Sequence, residues 1–178
     1  MNQKNTLCLI VDIQERLLPA LSGVDEVVER CRLLIQGLTA LDIPFAVTEQ
    51  YPKGLGNTVS AVSLLLPEGT PVVEKTRFSA FLPEIQEILR KNDIKNVILM
   101  GAEAHICMLQ TALDLKAQGY AVSLPFECTA SRTTANRDNG LVQMSRQGIT
   151  ISNVESILFQ LLGDAKHPAF KTISKLIQ

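Results

Sequence analysis

Apolar residues along this chain fall into two alternating rhythms. One is a set of short, unbroken runs: Thr6 to Val11, Pro44 to Thr48, Pro71 to Glu74, Asn96 to Gly101, Tyr120 to Leu124 and Ile149 to Ile151. Continuous apolar runs of this length predict strands covered on both faces, the habit of parallel sheets. The other rhythm has helical spacing. It is clearest from Val24 to Leu41, where Val27, Val28, Cys31, Leu34, Ile35, Leu38 and Leu41 share a face. Phe81 to Lys91 repeats it with Leu82, Ile85, Ile88 and Leu89 facing inward. Further helices are predicted from Met108 to Leu115, from Thr134 to Gln147 before Gly148, and from Asn153 to Leu162 with Asn153 as the cap. The tail from His167 to Gln178 is amphipathic. Alternating strands and helices predict a three-layer α/β/α fold around a parallel sheet. No repeat, linker or low-complexity segment divides residues 1–178, so one domain is expected.

In such folds ligands bind beyond the carboxyl ends of the strands. Three polar residues are expected there: Asp12 ends the first strand, Lys75 ends the third, and Cys107 follows the fourth. Cys107 falls where a helix should begin. Helix-start N–H groups lack internal partners, and the helix dipole favours a thiolate. A cysteine so placed can attack a carbonyl while backbone N–H groups hold the oxyanion. The Lys75 ammonium would favour the thiolate, and Asp12 would take the thiol proton and return it to a leaving group. Asp12 also opposes the thiolate by charge, so the net shift of the thiol is an open contest at this level.

Composition narrows the classes. The chain has 178 residues, 46% hydrophobic and 20% charged, enough for a full core. A formal charge of −1 gives no basic field for nucleic acid or anionic lipid. No tract is apolar enough to span a bilayer, and the amino terminus lacks a signal-peptide pattern. The four cysteines form no C-x-x-C pair and there are only two histidines, which argues against structural zinc. Reduced thiols and a cytoplasmic setting are expected. Cys31 and Cys8 read as core residues and Cys128 as a loop thiol. The amphipathic tail and the apolar last third point to a homo-oligomer, a dimer or higher.

Several stretches together resemble the isochorismatase-like cysteine hydrolases, the superfamily that includes nicotinamidases. They are Val11-Asp12-Ile13-Gln14, Glu74 through Phe81, and Gly101 through Cys107 with Thr111-Ala112 beyond. Thr48 through Gly56 and His167 through Lys171 more closely resemble the small isochorismatase-domain proteins. The resemblance spans nearly the whole chain. It implies a six-stranded parallel sheet in the order 3-2-1-4-5-6 and a triad of Asp12, Lys75 and Cys107. It also implies a cis peptide between Ala102 and Glu103, with the N–H groups of Glu103 and Cys107 as oxyanion donors. Gln14, Tyr51, Phe78, Ala102 and His105 are further pocket candidates, and Arg77 or Arg132 is a candidate to hold a substrate carboxylate.

Two departures matter. Ala104 stands where many relatives have threonine. The loop Glu49 to Gly56 has no histidine, whereas nicotinamidases bind a metal there, so no metal and no cofactor are expected. The expected activity is hydrolysis of a small amide-like substrate through an acyl-enzyme on Cys107. Hydrolysis of a vinyl ether without an acyl-enzyme is the alternative, and an interaction protein that keeps the fold is a third.

Overall fold

The computed structural model describes residues 1–178. Its strands are β1 (Thr6–Val11), β2 (Phe45–Gln50), β3 (Val72–Lys75), β4 (Asn96–Ala102), β5 (Ala121–Pro125), β6 (Thr129–Ala130) and β7 (Thr150–Ser152). All pair in parallel, in the order β3-β2-β1-β4-β5-β7. The two-residue β6 pairs with Gly101 and Ala102 of β4, beyond the point where β5 leaves that strand. The expected order holds for the main strands. β6 is additional, and two residues are too few to show a periodicity.

The helices are α1 (Val24–Thr39), α2 (Pro52–Leu55), α3 (Ser60–Ser63), α4 (Pro83–Lys91), α5 (Leu109–Ala117), α6 (Thr134–Arg146), α7 (Val154–Leu162) and α8 (Phe170–Leu176). Alternation along β1 divides the core in two. Cys8 and Ile10 face one way and pack with α1, α7 and α8, while Leu7, Leu9 and Val11 face the other way toward α4, α5 and α6. Both faces of β1 and β4 are buried, as their unbroken apolar runs require.

Two expectations change. β3 is an edge strand, and its Val72 is exposed while Lys75 is buried. The apolar run of β3 therefore does not mark a strand covered on both faces. The amphipathic tail is also spent within the chain: Ile173 of α8 is fully buried in the core beneath α1, with Phe170 and Ile177 packed around it. The tail thus covers the core of its own chain, while Phe170, Leu176 and Ile177 stay partly exposed.

Candidate active site

β1 delivers Asp12 to the carboxyl edge of the sheet, and the chain turns there. Asp12 has φ 56°, a left-handed conformation that aspartate tolerates better than most residues. Its N–H donates to the Thr48 carbonyl at 3.1 Å, and the Thr48 hydroxyl donates to its Oδ1 at 3.0 Å. Beside it, Gly101 of β4 has φ 136°, and a Cβ there would collide with the Val11 carbonyl. Only glycine lets the two strands approach this closely.

Lys75 leaves the end of β3, two strands away, and its stem crosses β2 to reach this point. Its Nζ donates to Asp12 Oδ2 at 2.6 Å, and both side chains are fully buried. The same ammonium lies 3.7 Å from Cys107 Sγ. A buried carboxylate is tolerable only with such a partner.

Cys107 does not sit in the first turn of an α-helix. It belongs to a π-helical turn, Ala104–Met108, that precedes α5. The Glu103 carbonyl accepts from both Ile106 N–H (3.0 Å) and Met108 N–H (3.2 Å). Such wide turns recur at functional sites and have no periodicity to read from sequence. The Ala102–Glu103 peptide bond is cis. The Glu103 N–H has no hydrogen-bond acceptor within the protein. Thr111, one turn on, donates its hydroxyl to the Cys107 carbonyl at 2.6 Å and accepts from Ala80 N–H at 2.8 Å. It ties the cysteine turn to the segment after β3.

The contest over the thiol has a direction. Burial, then the charge of Asp12, push the Cys107 thiol up to about 12, with Lys75 pulling the other way. Burial likewise raises the Asp12 carboxyl, against the opposing pull of Lys75 and of hydrogen bonds to Cys107 and Thr48. At neutral pH the cysteine is therefore a thiol, and it needs a base at the moment of attack.

Cys107 and Asp12 open onto a cleft of about 180 Å³. Leu17, Leu55, Phe78 and Ile106 form its apolar wall, and Gln50, Glu103 and Arg132 complete its polar side. A cavity of about 250 Å³ elsewhere, lined by Ser22, Thr133 and Thr134 among others, contains no cysteine. Of the five further pocket candidates, the structure brings Phe78 to the cleft.

Gln14 does not reach the cleft. It is fully buried behind it, donating to the carbonyls of Gln50 (3.0 Å) and Gly56 (2.7 Å) and accepting from Gln50 N–H (2.7 Å). Tyr51 turns out to solvent. Ala102 is buried in β4. His105 lies behind the turn, its Nδ1 sharing a 3.0 Å hydrogen bond with Ser131 Oγ. Arg132 lines the cleft, paired at 3.3 Å with Glu103, while Arg77 contributes only its carbonyl to Lys75.

Glu49 lies in β2 and not in the loop after it; its Oε1 accepts from Thr58 N–H (2.6 Å) and from Thr58 Oγ1 (2.7 Å). Nowhere do three His, Cys, Asp or Glu side chains gather as a metal-ligand set. Cys128 is not a loop thiol: it is fully buried in the core with Cys8 and Cys31. Gln50, Thr48 and Thr111 are polar residues near the site that pattern alone did not single out. Thr48 reads as the end of the second apolar run and Gln50 as part of the loop after it, whereas both sit in β2.

Comparison with known proteins places these features in company. The isochorismatase domain family model matches residues 6–156. Isochorismatase domain-containing protein 1 of Salmo salar is 42% identical over 174 residues, covering 97% of this chain and 61% of that protein. The chain thus spans about three fifths of that relative. Isochorismatase domain-containing protein 2 of Xenopus laevis is 34% identical, covering 99% of this chain and 85% of that protein. Among solved structures, one described as the MAR1 ribonuclease from Caenorhabditis elegans superposes with a TM-score of 0.96 at 38% identity, covering 99% of this chain and 91% of that one.

Proposed function

The chain belongs to the isochorismatase-domain family, and on that premise we propose that residues 1–178 form one hydrolase domain acting on a small amide through an acyl-enzyme on Cys107. The observation that carries this reading is the bridge made by Lys75, 2.6 Å from Asp12 and 3.7 Å from Cys107 sulfur, beside an unpartnered Glu103 N–H.

Cys107 sulfur attacks the carbonyl carbon as Asp12 takes the thiol proton. The N–H groups of Glu103 and Cys107 hold the oxyanion. The tetrahedral adduct collapses, the C–N bond breaks, and Asp12 passes its proton to the departing amine. Asp12 then takes a proton from water, whose oxygen attacks the thioester and releases the acid and the thiol. The cleft is small and its wall apolar, which fits a compact substrate. The worm relative is described as a ribonuclease; here a charge of −1 and a Cys107 only 7% exposed favour a small molecule over a polyanion.

A second reading is proton donation to a vinyl ether by Asp12. The upward shift of the Asp12 carboxyl by burial favours it, since a raised carboxyl holds a proton for donation more readily. Amine release from a library of small amides, lost in Cys107→Ala, is the expected result. Amide hydrolysis that survives in that variant would overturn the acyl-enzyme. Turnover of enol ethers alone would favour the second reading.

Four free cysteines suit a reducing compartment such as the cytoplasm, and no helix is long and apolar enough to cross a membrane. Homo-oligomerisation, at least to a dimer, belongs to this reading and is read by light scattering.

A further inference from the structure

Lys75 has three N–H protons and no lone pair. Five acceptors surround it: Asp12 Oδ2 at 2.6 Å, Gln50 Oε1 at 2.7 Å, the carbonyls of Phe78 (3.0 Å) and Arg77 (3.2 Å), and Cys107 Sγ at 3.7 Å. The three shortest contacts use every proton, and the sulfur is the most distant partner. Asp12 and Gln50 therefore hold the ammonium between them, and the cysteine receives what is left.

Gln50 is built to hold this position. It ends β2 directly beside Lys75 in the strand register. Its backbone is pinned on both sides by the buried Gln14. Its side-chain amide has one orientation, because lysine only donates: Oε1 must face Nζ, and Nε2 donates to the Thr76 carbonyl at 2.9 Å.

We propose that Gln50 is a positioning residue that holds the Lys75 ammonium on the Asp12 side of the site, away from the Cys107 sulfur. The ammonium is then a counter-ion for the base before it is an activator of the nucleophile. The division is chemically useful. A thiolate already paired with Lys75 would leave Asp12 without a proton to return to the departing amine.

The charged groups facing Cys107 are few. Asp12 comes from the end of β1, Lys75 from β3, Glu103 from the cis turn and Arg132 from the segment after β6. Glu103 and Arg132 pair with each other, so Asp12 and Lys75 set the balance that Gln50 tips.

This inference rests on the reading of Cys107 as nucleophile. Its test needs no substrate, so failure of one is distinguishable from failure of the other. The measurement is the rate of iodoacetamide labelling of Cys107 against pH, read by peptide mapping. Gln50→Met removes one of the two short contacts that hold the ammonium, leaving the Arg77 carbonyl and the Cys107 sulfur to share the freed proton. Its labelling profile moves to lower pH by about one unit, a rise of about tenfold at a fixed neutral pH. Gln50→Glu adds a carboxylate beside Lys75, and the profile moves to higher pH. A purely structural role moves both variants the same way. Opposite shifts support the proposal, and any other pattern overturns it. Gln50→Leu, which also lacks the acceptor, replaces Gln50→Met if that variant does not fold.

Discussion

The sheet separates two thiol environments. On one face Cys8, Cys31 and Cys128 lie together in the apolar core beneath α1, and Cys31 sulfur donates to the Cys128 carbonyl at 3.7 Å. At the carboxyl edge, Cys107 faces a cleft, a carboxylate and an ammonium. Burial pushes up Cys8, Cys128 and Cys107 alike. A raised thiol therefore does not tell a nucleophile from a core residue. Two things set Cys107 apart: an acceptor for its proton in Asp12, and an opening through which a carbonyl can reach its sulfur.

The largest effect expected from breaking this contrast is on turnover. Cys107→Ala should lower it by about a thousandfold or more, as loss of a nucleophile does. Cys31→Ser should leave turnover intact but cost about 1–3 kcal/mol of stability, because it buries a hydroxyl in an apolar core. Steady-state kinetics and urea unfolding of both variants check the pair. Equal losses of activity would erase the distinction.

Next comes the base. Asp12→Asn should lower turnover by about 10²- to 10⁴-fold. The same variant should also raise the alkylation rate of Cys107 at pH 7, because a charge that holds the thiol up is gone while Lys75 remains. An activity loss accompanied by slower alkylation would mean that Asp12 acts through the fold.

A smaller effect concerns pH and stability. The folded-state values of Cys8, Cys107 and Cys128 are raised, so the unfolded chain ionises first as pH rises. The stability these thiols contribute is fully present below the ordinary thiol value of about 8.5 and declines above it, by up to about 1.4 kcal/mol per pH unit for each thiol. The melting temperature should fall above about pH 9, and Cys8→Ala should flatten that fall. An unchanged slope in the variant would contradict the assignment.

The smallest effect is at Tyr51, which is 57% exposed and outside the cleft. Tyr51→Ala should change stability by no more than about 0.5 kcal/mol and leave KM unaltered. Phe78→Ala, which opens the apolar wall, should raise KM.

Much of this architecture was legible because burial on both faces leaves unbroken apolar runs, and a polar residue closing such a run marks its end. Reading the ends of the runs placed Asp12, Lys75 and Cys107 at one edge, although β3, which ends at Lys75, is an edge strand with Val72 exposed. It failed where no period exists. The π-helical turn around Cys107 and the two-residue β6 leave no repeat to count. Tyr51 reads as a pocket residue in a turn-rich loop, yet its left-handed backbone, φ 39°, turns the ring outward. Cys128 reads as a loop thiol because its neighbours are polar, and only the pairing of β6 with β4 carries it into the core. Gln50 reads as one more polar residue of the loop after the second apolar run, whereas it ends β2. Its partnership with Lys75 depends on strand order, which no local pattern encodes.

The central claim is that Cys107 carries the acyl group. It is tested most directly by acid-quenching the protein within one turnover of a small amide that it hydrolyses, then mapping the peptides by mass. The account predicts an acyl adduct on the peptide containing Cys107 and none on those containing Cys8, Cys31 or Cys128. Sustained hydrolysis with no adduct on Cys107 would contradict it.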